Sequence, residues 1–138
     1  MKSLIYDQSI RYIKFFMRVL VLWVFLRGHS SPGGGFAAAL IAASAEILQI
    51  LGSREFASER THKLFRQMGF GLLLAVGSGF LALCLSRDFM TGIWIQVGFL
   101  ELGTPILFDG GVFLLVYSAT TLMAEFLIGK SFLKEKRG

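Results

Sequence analysis

The residue in this chain whose placement most invites chemistry is Glu46. It is the only formal charge in the twenty-four residues between His29 and Arg54. A charged group in such apolar surroundings costs at least about 2.5–3.5 kcal/mol on membrane-insertion scales, so it must be neutralised, paired or used. Ala42 and Ala43 lie one helical turn before it, which turns the carboxylate toward a helix interface. Arg18 is the partner that helical arithmetic suggests. If one helix ends near Gly28 and the next begins near Gly34, Arg18 lies about 15 Å and Glu46 about 18 Å from the same end. Two functions are open to such a pair. It can fix the register of two antiparallel helices, or the carboxylate can serve a proton or cation path, its proton affinity set by desolvation against Arg18.

Other candidates carry less specific chemistry. Asp109 is placed to cap a helix beginning there, or to attract cations at its mouth. Glu125 stands five residues before Lys130 and can pair or meet water. The run Gly28-His29-Ser30-Ser31-Pro32-Gly33-Gly34-Gly35-Phe36 reads as a connection between antiparallel helices. Pro32 ends a helix, and three glycines allow tight turning and close backbone approach. No Lys-Ser/Thr pair follows these glycines, so they do not make a phosphate loop, and nothing near His29 completes a metal site. With no nucleophile-base set, cofactor fingerprint or metal cluster, an enzyme is not expected, and the expected cofactor complement is none.

The elements that must position these residues follow from composition. Of 138 residues, 54% are hydrophobic and 17% charged, against about 25% charged in ordinary soluble domains. The charges cluster between long apolar stretches, and the single cysteine, Cys84, excludes a disulfide scaffold. The net charge of +5 sits at the ends of those stretches, which points to lipid and not to nucleic acid.

The twenty residues Gln67 to Ser86 carry no charge, a length of about 30 Å as a helix, one hydrocarbon thickness. Residues 34–53 and 109–129 are comparable. The first segment, about 8–27, contains Arg11, Lys14 and Arg18, but Val19 to Leu26 is wholly apolar and basic side chains can snorkel. It resembles a signal peptide in having a basic start and a short apolar core. Arg27-Gly28-His29 stands where a small-residue cleavage site would be, so a retained helix is expected.

Segment 89–108 reads differently. Ile93, Ile95, Val97 and Phe99 alternate as in a strand, and Gly98, Gly103 and Pro105 break helices. An ordered apolar outer loop is expected there, with a hairpin as one form of it. With four spans, twelve of the fourteen basic residues fall on one side, and Arg27 and Arg87 on the other. The positive-inside rule then places both termini in the cytoplasm. The expected fold is an all-α membrane protein: one domain of four transmembrane helices spanning about 8–27, 34–53, 66–86 and 109–129. Gly71, Ala75 and Gly79 recur every four residues in the third span and should form a docking stripe.

Two stretches go beyond generic membrane physics. Arg27 to Phe36, followed by an alanine-rich helix, resembles the G-H-N-S-P-G-G-G-F signature of the MnhB/MrpB family, with Ser30 in place of asparagine. Gly103-Thr104-Pro105-Ile106-Leu107-Phe108-Asp109-Gly110-Gly111-Val112-Phe113 resembles that family's TP-(I/L)-LFD-x-GV run. The resemblance implies the B subunit of a multisubunit Na+/H+ antiporter, an accessory or ion-path component supporting Na+ extrusion and pH homeostasis. Its partners would be the other subunits of a hetero-oligomeric complex and the lipid bilayer, with no nucleic acid. The positions matching the family pattern are Pro32 and Phe36, then Gly33, Gly34, Gly35 and Asp109. A homologous subunit of a hydrogenase or respiratory assembly, and a small stand-alone homodimeric exporter, are the alternatives.

Overall fold

A computed structural model describes residues 4–28, 33–53, 58–84, 94–97 and 100–135. Four helices dominate it: α1 (Leu4–Arg27), α2 (Gly34–Ser53), α3 (Ser58–Cys84) and α4 (Thr104–Glu135). Two short strands, β1 (Trp94–Val97) and β2 (Leu100–Gly103), lie between α3 and α4. They pair antiparallel, with Trp94 opposite Gly103 and Val97 opposite Leu100. The all-α expectation therefore holds for the helices; within segment 89–108, expected as an ordered apolar loop, residues 94–97 and 100–103 add a small two-stranded sheet.

Three of the helices are long and apolar enough to cross a membrane: Gly34–Gly52, Arg60–Leu81 and Thr104–Gly129. The basic residues of α1 keep it out of this set.

Two helices start earlier than the charge pattern suggests. α3 begins at Ser58, eight residues before position 66, because a serine followed by Glu59 is a sound helix start even among charged neighbours. α4 begins at Thr104, five residues before Asp109. Pro105 does not break it, since proline's missing N–H has no intrahelical partner in a first turn anyway. The expectation that Asp109 caps this helix is thereby corrected, for the residue lies in the second turn.

α4 packs against both α3 and α2, and α1 packs against α2, giving the lateral order α1, α2, α4, α3. Small residues make these contacts. Ala38, Ala39, Ala43 and Ala45 of α2 and Ala75 of α3 are buried, whereas Phe16, Leu73 and Leu127 are largely exposed. Alanines inside and aromatic and branched side chains outside would be a poor arrangement in water. It suits lipid, where helices associate through close packing because the outer surface is already in an apolar solvent.

The closest approaches are at glycines. A Cβ on Gly71 would stand 2.7 Å from the Gly111 carbonyl oxygen, and one on Gly111 would stand 2.5 Å from the Ala75 nitrogen. The Gly71/Ala75 part of the expected stripe is therefore the α3–α4 contact. Among the described residues nothing lies within 4 Å of a Cβ added at Gly69 or Gly77, so these two make no close packing there.

Candidate functional site: a four-helix charge network

The glycine connection and the second motif meet at one end of the bundle. Gly33 has φ +101°, a left-handed conformation that side chains resist, and its carbonyl accepts a hydrogen bond from Ala37 N–H at 3.1 Å. Gly34 then crosses α1 so closely that a Cβ would lie 2.3 Å from the Gly28 Cα. Gly35 does the same to α4, where a Cβ would lie 2.4 Å from the Asp109 carbonyl oxygen. One glycine turns the chain and the next two admit neighbouring backbones. The half-buried Asp109 thus sits against the start of α2, and Phe36 is half exposed. Pro32 lies outside the described residues, with His29, Ser30 and Ser31.

Glu46 is eleven residues, or about 17 Å, further along α2. Its side chain retains only 20% of its exposure, as expected of a group turned into a helix interface. Its partners differ from the expected one. Arg60 Nη2 of α3 donates a hydrogen bond to Glu46 Oε1, and Lys14 Nζ of α1 stands 3.6 Å from Oε2. Arg60 Nε also reaches Glu125 Oε1 of α4 at 2.9 Å. Thr61 Oγ1 donates to Glu125 Oε2 at 3.4 Å, and Lys14 Nζ donates to the Gln49 side-chain oxygen. Two cations and two carboxylates from four helices form a formally neutral set. That is the form in which buried charge is tolerated away from water.

Arg18 is not the partner of Glu46. Among the described residues it pairs with no carboxylate, and it is exposed at the edge of a cleft lined also by Lys14, Glu46 and Tyr117. The early start of α3 explains the difference. A helix beginning at Ser58 carries Arg60 up to Glu46, whereas a helix beginning at 66 leaves it in a loop. Glu125, expected only to pair or meet water, pairs with Arg60. Lys14, Gln49, Arg60 and Tyr117 are the residues that sequence reasoning missed. The Ser58-Glu59 helix start was the available signal for Arg60.

Beside this network the α4 stripe Ser118, Thr121 and Glu125 faces inward. Ser118 and Thr121 are fully buried, and their hydroxyl oxygens have no hydrogen-bond partner among the described residues. A buried hydroxyl without a partner costs about 1–3 kcal/mol, and an apolar isostere removes that cost. Thr121→Val is accordingly expected to raise the stability of the purified protein by about 1 kcal/mol, read as a higher Tm. A lower Tm would show that the hydroxyl is satisfied in the folded protein.

Comparison with known proteins now bears on this arrangement. Residues 5–122 match a family described as "Domain related to MnhB subunit of Na+/H+ antiporter". The chain belongs to the MnhB family. That match takes in Lys14, Glu46 and Arg60 and ends just before Glu125. Among the relatives of this MnhB-family chain is the Na(+)/H(+) antiporter B subunit of Alkalihalophilus pseudofirmus, 33% identical over 113 residues, covering 77% of this chain and 78% of that one. The Na(+)/H(+) antiporter B subunit of Bacillus subtilis is 32% identical over 130 residues, 89% of this chain and 91% of that one. The probable K(+)/H(+) antiporter A/B subunit of Rhizobium meliloti is 40% identical over 113 residues, which are 76% of this chain and 11% of that much longer protein.

Proposed function

We propose that this MnhB-family chain is a non-enzymatic, membrane-embedded subunit of a multisubunit cation/proton antiporter, supporting Na+ extrusion and pH homeostasis at a bacterial inner membrane. The family match over residues 5–122 carries this reading, and the names of the relatives support it. Its partners are the other subunits of the complex and the surrounding lipid. The antiport test is direct. Deleting the subunit from its host should abolish Na+-driven proton movement in everted membrane vesicles, and restoring it should return the activity. Full activity without it would refute the assignment.

The residues form a single domain with four spans, α1 joining the three apolar helices, and both termini in the cytoplasm. Support for α1 as a span comes from the charge network. Lys14 would oppose insertion of an isolated helix, but in the bundle its charge is met by Glu46 and its N–H donors by Gln49. The basic residues at the Lys14, Arg60 and Lys134 end fit the positive-inside rule. In a chain with Cys84 replaced by serine, single cysteines at 33 and 98 should label from outside the cell, and those at 58 and 136 should not. The inverse pattern would overturn the topology.

The network's role, on this reading, is to lock the register of the four helices. Glu46→Gln keeps an oxygen for Arg60 and should leave the assembled complex active. An assembled but inactive complex would move Glu46 from the lock to the ion path.

A further inference from the structure

The lateral order α1, α2, α4, α3 leaves a groove between α1 and α4, with α2 as its floor. The two walls meet near the Gly28–Gly34 end, where Phe25 of α1 packs edge-on against Phe113 of α4 with ring centroids 5.8 Å apart. Further along, the groove deepens into a cleft of about 290 Å³. Ala42, Ala45 and Glu46 form its floor, Arg18 and Val21 one wall and Tyr117 the other. Counted from the Gly28–Gly34 crossing, Arg18 lies about 15 Å in, halfway along a span of about 30 Å.

Lys14 and Arg60 are matched by Glu46 and Glu125, whereas Arg18 pairs with no carboxylate among the described residues and stays exposed. A cation at mid-span needs a partner or water. Lipid headgroups lie about half a hydrocarbon thickness away, and acyl chains carry no acceptor. Phe15 and Leu22, one turn to either side of Arg18 on its own face, are exposed and apolar, a border that suits a packed neighbour better than a column of water. A neighbouring helix meets each of these conditions. The small Ala42 and Ala45 permit close approach. The guanidinium of Arg18 and the phenol of Tyr117 bring N–H and O–H donors from opposite walls, and a carboxylate accepts from both.

We propose that this groove seats a membrane helix from another subunit of the complex, which inserts an Asp or Glu side chain between Arg18 and Tyr117. The cleft has room for side chains and not for a whole helix, so the partner helix lies along the open side, and the Phe25–Phe113 contact marks one end of the seat. A second copy of this chain is a poor occupant, since its deep carboxylates Glu46 and Glu125 are already engaged in the network. The seat rests on the antiporter-subunit reading and on α1 as a span, and adds to them which face is covered and by what chemistry.

The test uses the tagged full-length chain purified with its complex in a mild uncharged detergent. Arg18→Gln should lower the yield of accompanying subunits about tenfold or more, because it leaves the partner's acid unpaired. Arg11→Gln, also exposed on α1, should keep them. In the otherwise unaltered complex, a diazirine amino acid at Met17 or Val21 should crosslink to a membrane helix of another subunit that carries Asp or Glu within about 10 Å of its middle. Arg18→Glu, combined with that acid changed to arginine, should restore assembly. Full assembly of Arg18→Gln would overturn the seat. So would adducts confined to lipid, to a second copy of this chain, or to a helix without a carboxylate. Two outcomes would instead strike the readings beneath it: unaltered chain that brings no other subunits would sink the subunit assignment, and labelling from water of cysteines at 19–26 would sink α1 as a span.

Discussion

Replacing Arg60 by glutamine should destabilise the bundle by about 2–4 kcal/mol. Among the described residues, Arg60 is the only side chain that touches two carboxylates on two different helices, Glu46 of α2 and Glu125 of α4. Removing it leaves two carboxylates facing one lysine in a site where the side chains keep 10–28% of their exposure. An uncompensated charge in a fully buried pair costs about 3–5 kcal/mol, and residual exposure trims that figure here. Thermal unfolding of the purified protein reads the effect directly. The double substitution Arg60→Gln with Glu125→Gln restores neutrality and should recover more than half of the loss. A single substitution without effect on Tm would mean that the four charges are independently solvated and that the network locks nothing.

Gly35→Ala should be at least as damaging, and for a different reason. The added carbon would meet the Asp109 carbonyl oxygen at 2.4 Å and that carbonyl's carbon at 3.0 Å. These are backbone atoms within a helix and cannot rotate aside, so α2 and α4 must separate. Overpacking of an ordinary core costs about 1–3 kcal/mol; loss of a helix contact at the end where both sequence motifs meet should exceed about 3 kcal/mol. The expected result is a chain that inserts but no longer assembles with its partners in the complex, seen as loss of co-purification. Gly77→Ala is the matched control, since none of the described residues lies within 4 Å of the added carbon. Replacing a helical glycine by alanine there should be neutral or stabilising by up to about 1 kcal/mol. Equal behaviour of the two variants would show that the Gly35–Asp109 contact is loose in the folded protein.

Legibility in the sequence was uneven, and the pattern has a cause. The long apolar stretches foretold three of the helices, because hydropathy accumulates residue by residue and owes nothing to distant neighbours. The Ile93–Phe99 alternation pointed to an ordered apolar loop with a hairpin as one form of it, and the structure pairs Trp94–Val97 with Leu100–Gly103. Helix starts were less readable. Charge density pointed to 66 and to Asp109, but a serine start at Ser58 and a first-turn proline at Pro105 carry the helices further. That eight-residue difference, about 12 Å of helix, separates a solvated Arg60 from one that bridges two carboxylates.

The sequence alone decided that Glu46 needs a partner and that the glycine run and the Asp109 run belong together in one family. Both are local statements, one about the cost of a charge among apolar residues and the other about motif order. Tertiary structure decided which cation answers Glu46. Lys14, Arg18 and Arg60 all have side chains long enough to reach it, and helix crossing rather than sequence distance selects among them. It also decided that Asp109 meets Gly35, a contact made by two backbones that no side-chain pattern records.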